Sequence, residues 1–289
     1  MAQALAFPLP HPAIDSPIQQ VYWSPSVYPD ASHQLIYIKT ATIAYYLKWP
    51  KKQVKSHIFW RLSQAWFQLD IHSNYQFSMA SADIWLQLSS ASSLHWVRPV
   101  AVEYYVLSRA VANEGIPTYL SDSALIRLRD HFRAMQSFSS AKFGPLVNPV
   151  CDMNGWLQRL EQGFQLTKVP SQLVQSALAQ AKECPETKAV PLMLDWRWDQ
   201  LAWQAGLPDT IIDLDAWVWA PETLSWVMLE YLLAGQSDEE VSRWVVDLQV
   251  NQHQLDAWRQ AYRLLLFAMN WQGETNLDAW LAAPKRFKA

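Results

Sequence analysis

Residues 191–216 read Pro191-Leu192-Met193-Leu194-Asp195-Trp196-Arg197-Trp198-Asp199-Gln200-Leu201-Ala202-Trp203-Gln204-Ala205-Gly206-Leu207-Pro208-Asp209-Thr210-Ile211-Ile212-Asp213-Leu214-Asp215-Ala216. Two short apolar runs, Leu201–Trp203 and Thr210–Ile212, are separated by Gly206 and Pro208, a pattern that predicts a β-hairpin. Asp195 and Gln200 precede the first strand, and Asp213 and Asp215 follow the second. A hairpin brings its outer ends together, so these polar groups should converge. Asp213 and Asp215 stand two apart and share a face if the backbone stays extended. Carboxylates beside Arg197 suit a Mg²⁺–phosphate site: hard oxygen ligands take the metal, and a guanidinium neutralises a transferring phosphoryl group. The plainer alternative is that the aspartates are turn residues bonding their own backbone.

Upstream, Pro8, Pro10, Pro12, Pro17, Pro25 and Pro29 fix φ and remove donors, so an extended, irregular arm is expected. Gln34–Thr40 reads as a strand. Apolar positions recur at helical spacing from Gln53 to Leu69. Residues 82–100 alternate at Ile84, Leu86 and Leu88 and predict a hairpin with Leu94–Val97. Val102, Tyr105, Val106, Ala110 and Val111 predict a helix that ends near Gly115. Further helices are expected after Ser121-Asp122-Ser123, after a cap at Asn154, over 172–182, and through most of the last eighty residues. Mixed elements followed by helices indicate an α+β chain: a small sheet-bearing N-terminal part, residues 1–120, and a larger helical part, residues 121–289.

Composition narrows the function classes. The 289 residues include only seven glycines, where an average share would give roughly twenty; a glycine-built phosphate cradle is therefore excluded. A net charge of −3 argues against a nucleic-acid partner. The one dense basic run, Lys48-Trp49-Pro50-Lys51-Lys52, reads as a solvated face leading into a helix. No stretch approaches 18 consecutive apolar residues, so no membrane span is expected. The start of the chain lacks a basic signal-like region, and the expected location is the cytoplasm. Two isolated cysteines form neither a disulfide framework nor a zinc site. Seventeen tryptophans raise the question of a pocket at Trp196, Trp198, Trp203, Trp217 and Trp219, but their spread over the chain favours core packing.

The hairpin segment resembles the catalytic core of the aminoglycoside-phosphotransferase and choline-kinase-like kinases. That family has a loop Asp, a basic or imidazole side chain two residues on, an Asn metal ligand five on, and a second metal-binding Asp after a short hairpin. Asp195, Arg197, Gln200 and Asp213 take those places, and Asp215 matches the acidic residue two beyond. The segments Glu103–Thr118 and Leu128–Leu146 resemble the N-lobe helix with its following strand and the first C-lobe helix with its loop. The resemblance implies a protein-kinase-like fold and transfer of a phosphoryl group from ATP to a hydroxyl of a small-molecule substrate. It also implies that Asp195 orients or deprotonates the acceptor and Arg197 stabilises the transferring group. Gln200 and Asp213 would hold Mg²⁺ and nucleotide, with Asp215 assisting.

The departures point the other way. Met193 stands where the family has His, Gln200 where it has Asn, and Ser225 where a later helix has Asp. Residues 1–114 contain no glycine, hence no glycine-rich loop. Lys39 is too far from the helix expected at Glu103, and Arg98 too near it, to supply the family's lysine. These features favour a catalytically degenerate, pseudokinase-like binding protein or scaffold with a protein partner. A third reading keeps the acidic cluster and drops the fold, giving a metal-dependent phosphoesterase.

Overall fold

The computed structural model describes residues 13–14, 16–25, 31–51, 57–70, 82–97, 99–102 and 105–287. Most of the proline-rich arm, Arg98 and Glu103 lie outside them. In chain order the first elements are β1 (Ile18–Ser24), β2 (His33–Thr40), β3 (Ala44–Pro50), α1 (Ile58–Phe67), α2 (Ala82–Ala91), β4 (His95–Trp96), β5 (Pro99–Val102) and β6 (Val106–Arg109). Five of the strands form an antiparallel sheet in the order β1-β2-β3-β6-β5. Its side chains alternate with the pleat. Ile36, Ile38, Tyr45, Leu47 and Leu107 are buried on one face together with Ile14. The register pairs Tyr37 with Tyr46 and Leu35 with Lys48 on the other.

Two expectations fail here. Residues 82–91 are a helix and not a hairpin strand. Trp85 and Leu88, three apart, pack inward, so the 3.6-residue period decides over the apparent alternation. In place of the expected helix, Pro99–Val102 and Val106–Arg109 are paired strands. Val100 and Val106 suit a pleated surface, and β6 finds a partner in β3 that no local pattern reveals.

The remaining elements are α3 (Asp122–Gln136), β7 (Lys142–Pro145), β8 (Cys151–Asp152), α4 (Trp156–Phe164), α5 (Ser171–Lys182), β9 (Ala189–Met193), β10 (Leu201–Gln204), β11 (Leu207–Ile211), β12 (Trp217–Pro221), α6 (Glu222–Leu232), α7 (Asp238–Asp247), α8 (Gln252–Ala268) and α9 (Leu277–Leu281). The expected helix forms as α3 but starts within the Ser121-Asp122-Ser123 cluster, with Ser121 as its cap: the Ser121 hydroxyl accepts from Ala124 N at 3.2 Å. Before α4 the capping acceptor is Asp152, bonded by Asn154 N at 2.8 Å, and not Asn154 itself. Strands β8-β7-β12-β9 form a second sheet and β10-β11-β4 a third. In the third sheet Trp96 lies parallel to Ile211.

One large core fills the helical part, and tryptophans dominate it. Trp66, Trp156, Trp196, Trp203, Trp217 and Trp258 are all under 2% exposed, which answers the pocket question for three of the five candidates near the hairpin. Helix α1 belongs to this core: Trp66 meets Phe164 and Phe67 meets Trp156. Trp66 Nε1 donates to Leu160 O at 3.2 Å. It lies so close to Gly163 that a Cβ built there would sit 1.8 Å from it.

Two buried acids organise the far end. Glu230 on α6 receives Arg259 at 3.1 Å and Arg263 at 3.2 Å, and the backbone N–H groups of Arg286 and Phe287 at 3.0 and 3.1 Å. Arg263 also donates to the carbonyls of Leu281, Ala283 and Pro284. The C-terminal strap is thus bolted to the core through one carboxylate. Glu186 accepts from Tyr262 Oη and Gln254 Nε2, each at 2.9 Å, and burial pushes its pKa up to about 8. A folded-state pKa above the unfolded one adds stability below about pH 4.5 that is lost as pH rises toward 8. Glu186→Gln should flatten that decline. Melting temperatures from pH 5 to 9 check it; an unchanged slope would mean that Glu186 is ionised in the fold.

Candidate active site

The expected hairpin forms, but its second strand begins earlier, at Leu207, ends at Ile211 and takes in Pro208, which pairs with Trp203. Leu201 pairs with Ile211 and Gln204 with Leu207. Ala205 and Gly206 make the turn with φ of 51° and 73°, the two positive values that a two-residue type I′ turn requires. Two ladders then draw its outer ends together. Ile212 N donates to Gln200 O at 3.0 Å, and Leu194 N donates to Ala216 O at 2.8 Å. The second contact continues the β9–β12 pairing, in which Met193 faces Trp217. Residues 195–200 and 213–215 are therefore fixed side by side by backbone bonds on both flanks.

Asp195 Oδ1 accepts from Arg197 Nη1 at 2.6 Å, and its Oδ2 from Gln200 Nε2 at 3.4 Å. Arg197 turns its other edge to Asp199, with Nε–Oδ1 at 3.0 Å and Nη2–Oδ2 at 3.4 Å. Burial raises the Asp195 pKa to about 7; Arg197 and Lys48 oppose the rise, while Asp213 and Asp199 add to it. A carboxyl that titrates near neutrality is suited to trading a proton. Asp213 behaves oppositely. Burial would raise it, but the Lys48 ammonium overrides that and holds it below the usual carboxylate range.

Lys48 is the residue that sequence reading missed. Far from lying on a solvated basic face, it is four-fifths buried on β3, with Nζ 2.6 Å from Asp213 Oδ2 and in contact with Asp215 Oδ2. Burial alone would lower its pKa; the two carboxylates raise it above the usual lysine value. A second roof residue joins it: His33 Nε2 on β2 lies 3.7 Å from Asp215 Oδ2, and Ser32 Oγ lies 2.8 Å from His33 Nδ1. In the folded strand burial alternates through this stretch, with Tyr45 and Leu47 buried and Tyr46 exposed, but the residue types Tyr45-Tyr46-Leu47-Lys48 do not themselves alternate.

Of the expected site residues, the structure gathers Asp195, Arg197 and Gln200 in one hydrogen-bonded set, and Asp213 and Asp215 around Lys48. The two sets are close enough that Asp213 and Lys48 both perturb Asp195. Trp196 is buried and stacks on His131 at 5.2 Å, and Trp217 lies 4.4 Å from Trp96, so a wall of aromatic rings backs the aspartates. Ser225, expected to replace an acid, is a buried helix residue that bonds Glu222 O at 2.6 Å and accepts from Gln136 at 3.1 Å. Among the described residues no three His, Cys, Asp or Glu side chains gather as a metal cage. Mg²⁺ in nucleotide sites does not need one, since it uses one or two carboxylates, phosphate oxygens and water. The Asp213 carboxylate and the Gln200 amide oxygen are donors of that kind.

No family model matches the chain, and no curated protein does. Solved structures do. The chain is similar to the apo form of a thermostable mutant of aminoglycoside phosphotransferase APH(4)-Ia at 12% identity, with a TM-score of 0.59, over 91% of this chain and 92% of that one. Macrolide 2'-phosphotransferase MphH from Brachybacterium faecium matches at 9% identity and TM-score 0.54, over 95% of each chain. A fructosamine-3-kinase, so described, from Haemophilus somnus matches at 9% and 0.54, over 92% of this chain and 90% of that one. At such identities the likeness establishes the fold: α+β and protein-kinase-like, with a sheet-bearing N-terminal lobe and a larger helical lobe. No helix among the described residues is long and apolar enough to cross a membrane.

Proposed function

We propose that the protein is a phosphotransferase that carries the terminal phosphoryl group of ATP to a hydroxyl of a small molecule. The observation that carries this reading is the meeting of Asp195, Asp213 and Lys48, brought to one spot by the ends of β9 and β11 and by β3. The fold supports it, because solved structures that share it include a complex of APH(4)-Ia with AMP-PNP and hygromycin B. In this reading Asp195 accepts the proton of the acceptor hydroxyl, and its pKa of about 7 makes turnover rise with pH through neutrality. Arg197, held between Asp195 and Asp199, presents its guanidinium to the transferring group. Lys48 meets phosphate oxygens from the roof. Gln200 and Asp213 would hold Mg²⁺, which when bound supplies the positive charge that phosphoryl transfer requires.

A second reading, a binding protein that no longer uses nucleotide, is favoured by one observation: Lys48 already engages both Asp213 and Asp215. One measurement separates the two. If Mg²⁺-ATP binds the folded state, thermal stability rises by mass action, about 2.7 kcal/mol at a hundredfold excess over Kd. A melting curve unmoved by millimolar Mg²⁺-ATP would sink the phosphotransferase reading.

A further inference from the structure

We propose that Asp215 is not a metal ligand but the positioning residue that anchors Lys48. The proposal rests on the phosphotransferase reading for the purpose of Lys48, and on geometry alone for the anchor. In protein kinases the lysine of the third strand is held by a glutamate from the helix that follows. Here α1 carries no acidic residue, and α2 carries only Asp83, which is exposed. The ammonium is instead held from below, by the segment that leaves the hairpin.

Asp213 and Asp215 both touch Lys48, but their surroundings assign them different tasks. The Asp215 side chain is 8% exposed and the Asp213 side chain 24%. Asp215 faces two roof residues at once, Lys48 on β3 and His33 on β2, and is boxed in by them. Its Oδ2 bears both Lys48 and His33, so a cation at that oxygen would compete with the Lys48 ammonium and take away one of its two carboxylate partners, a costly exchange in a buried ionic set. Asp213 is three times as exposed. One of its oxygens caps the Asp215 N–H at 3.1 Å, and its other, Oδ2, bears Lys48 at the open edge. When a metal draws on Asp213, Lys48 keeps Asp215. The acid two beyond the first then takes the part of a helix glutamate, which the described helices α1 and α2 do not supply, and it latches the sheet to the catalytic hairpin.

The test needs no known substrate. Acylation of lysines by an amine-reactive ester, read by mass spectrometry, reports how firmly each ammonium is held. Asp215→Asn should raise the labelling rate of Lys48 about tenfold while leaving Lys39 and Lys188 unchanged; unchanged Lys48 labelling in a folded variant overturns the proposal. If Asp215→Asn does not fold, Asp215→Glu keeps the charge on a longer arm and should give an intermediate Lys48 rate, whereas a wild-type rate overturns the anchor. ATP affinity with and without Mg²⁺ gives the second arm. Asp213→Asn should abolish the Mg²⁺ dependence and Asp215→Asn should retain it; the reverse would make Asp215 the metal ligand and end the proposal. Should the wild-type chain bind no ATP, the phosphotransferase reading falls, and the labelling arm still judges the anchor.

Discussion

Asp195→Asn is expected to lower turnover by about 10²–10⁴, the range for losing a general base, while leaving ATP affinity unchanged. Asparagine keeps the shape and can still face Arg197 and Gln200, which now bond Asp195 at 2.6 and 3.4 Å, but it cannot take a proton. The variant should also lose the rise in rate around pH 7 that the raised Asp195 carboxyl imposes. Slow ATP hydrolysis without an acceptor is a sufficient assay. Equal and small effects from Asp195→Asn and Asp213→Ala would reduce both aspartates to turn residues.

Glu230→Ala should be the most destabilising single change away from the site. The carboxylate is 1% exposed and faces two guanidiniums that are each 4% exposed. Removing one partner of a buried ionic set leaves the others uncompensated and costs about 3–5 kcal/mol. The loss of the bonds to Arg286 N and Phe287 N should free the C-terminal strap as well. For a chain of this size the melting temperature should fall by roughly 10 °C. Thermal unfolding followed by tryptophan fluorescence would check it, and a fall of only a degree or two would show that the arginines find other partners.

The hairpin and the acids at its ends were legible in the sequence because every determinant is local: two apolar runs, a glycine turn and aspartates outside the strands. Lys48 was not legible as a site residue. Its partner lies 165 residues away, and the neighbouring Lys51 and Lys52 give the segment the look of an exposed basic run. The misread stretches fail for related reasons. In residues 82–91 the alternation of Ile84, Leu86 and Leu88 imitates a strand, and the inward side is set by Trp85 meeting Trp96 on β4 and Trp217 on β12. In residues 99–109 the deciding fact is the open edge of β3, and single-segment periodicity cannot report an edge. Glu230 also escaped notice, because a lone glutamate in an apolar helix gives no hint of two arginines waiting a helix away.

The contact between Trp66 and Gly163 bears on which sequences this fold admits. An alanine in place of a glycine inside a helix ordinarily gains about 1 kcal/mol. At position 163 that gain is reversed, since the added methyl would overlap the indole nitrogen at 1.8 Å. Repacking around an intruding carbon costs about 1–3 kcal/mol and would break the bond from Trp66 to Leu160. Positions 66 and 163 are thus free to vary only as a pair: a lineage that shrinks the tryptophan opens the glycine to substitution, and one that keeps the ring must keep the gap.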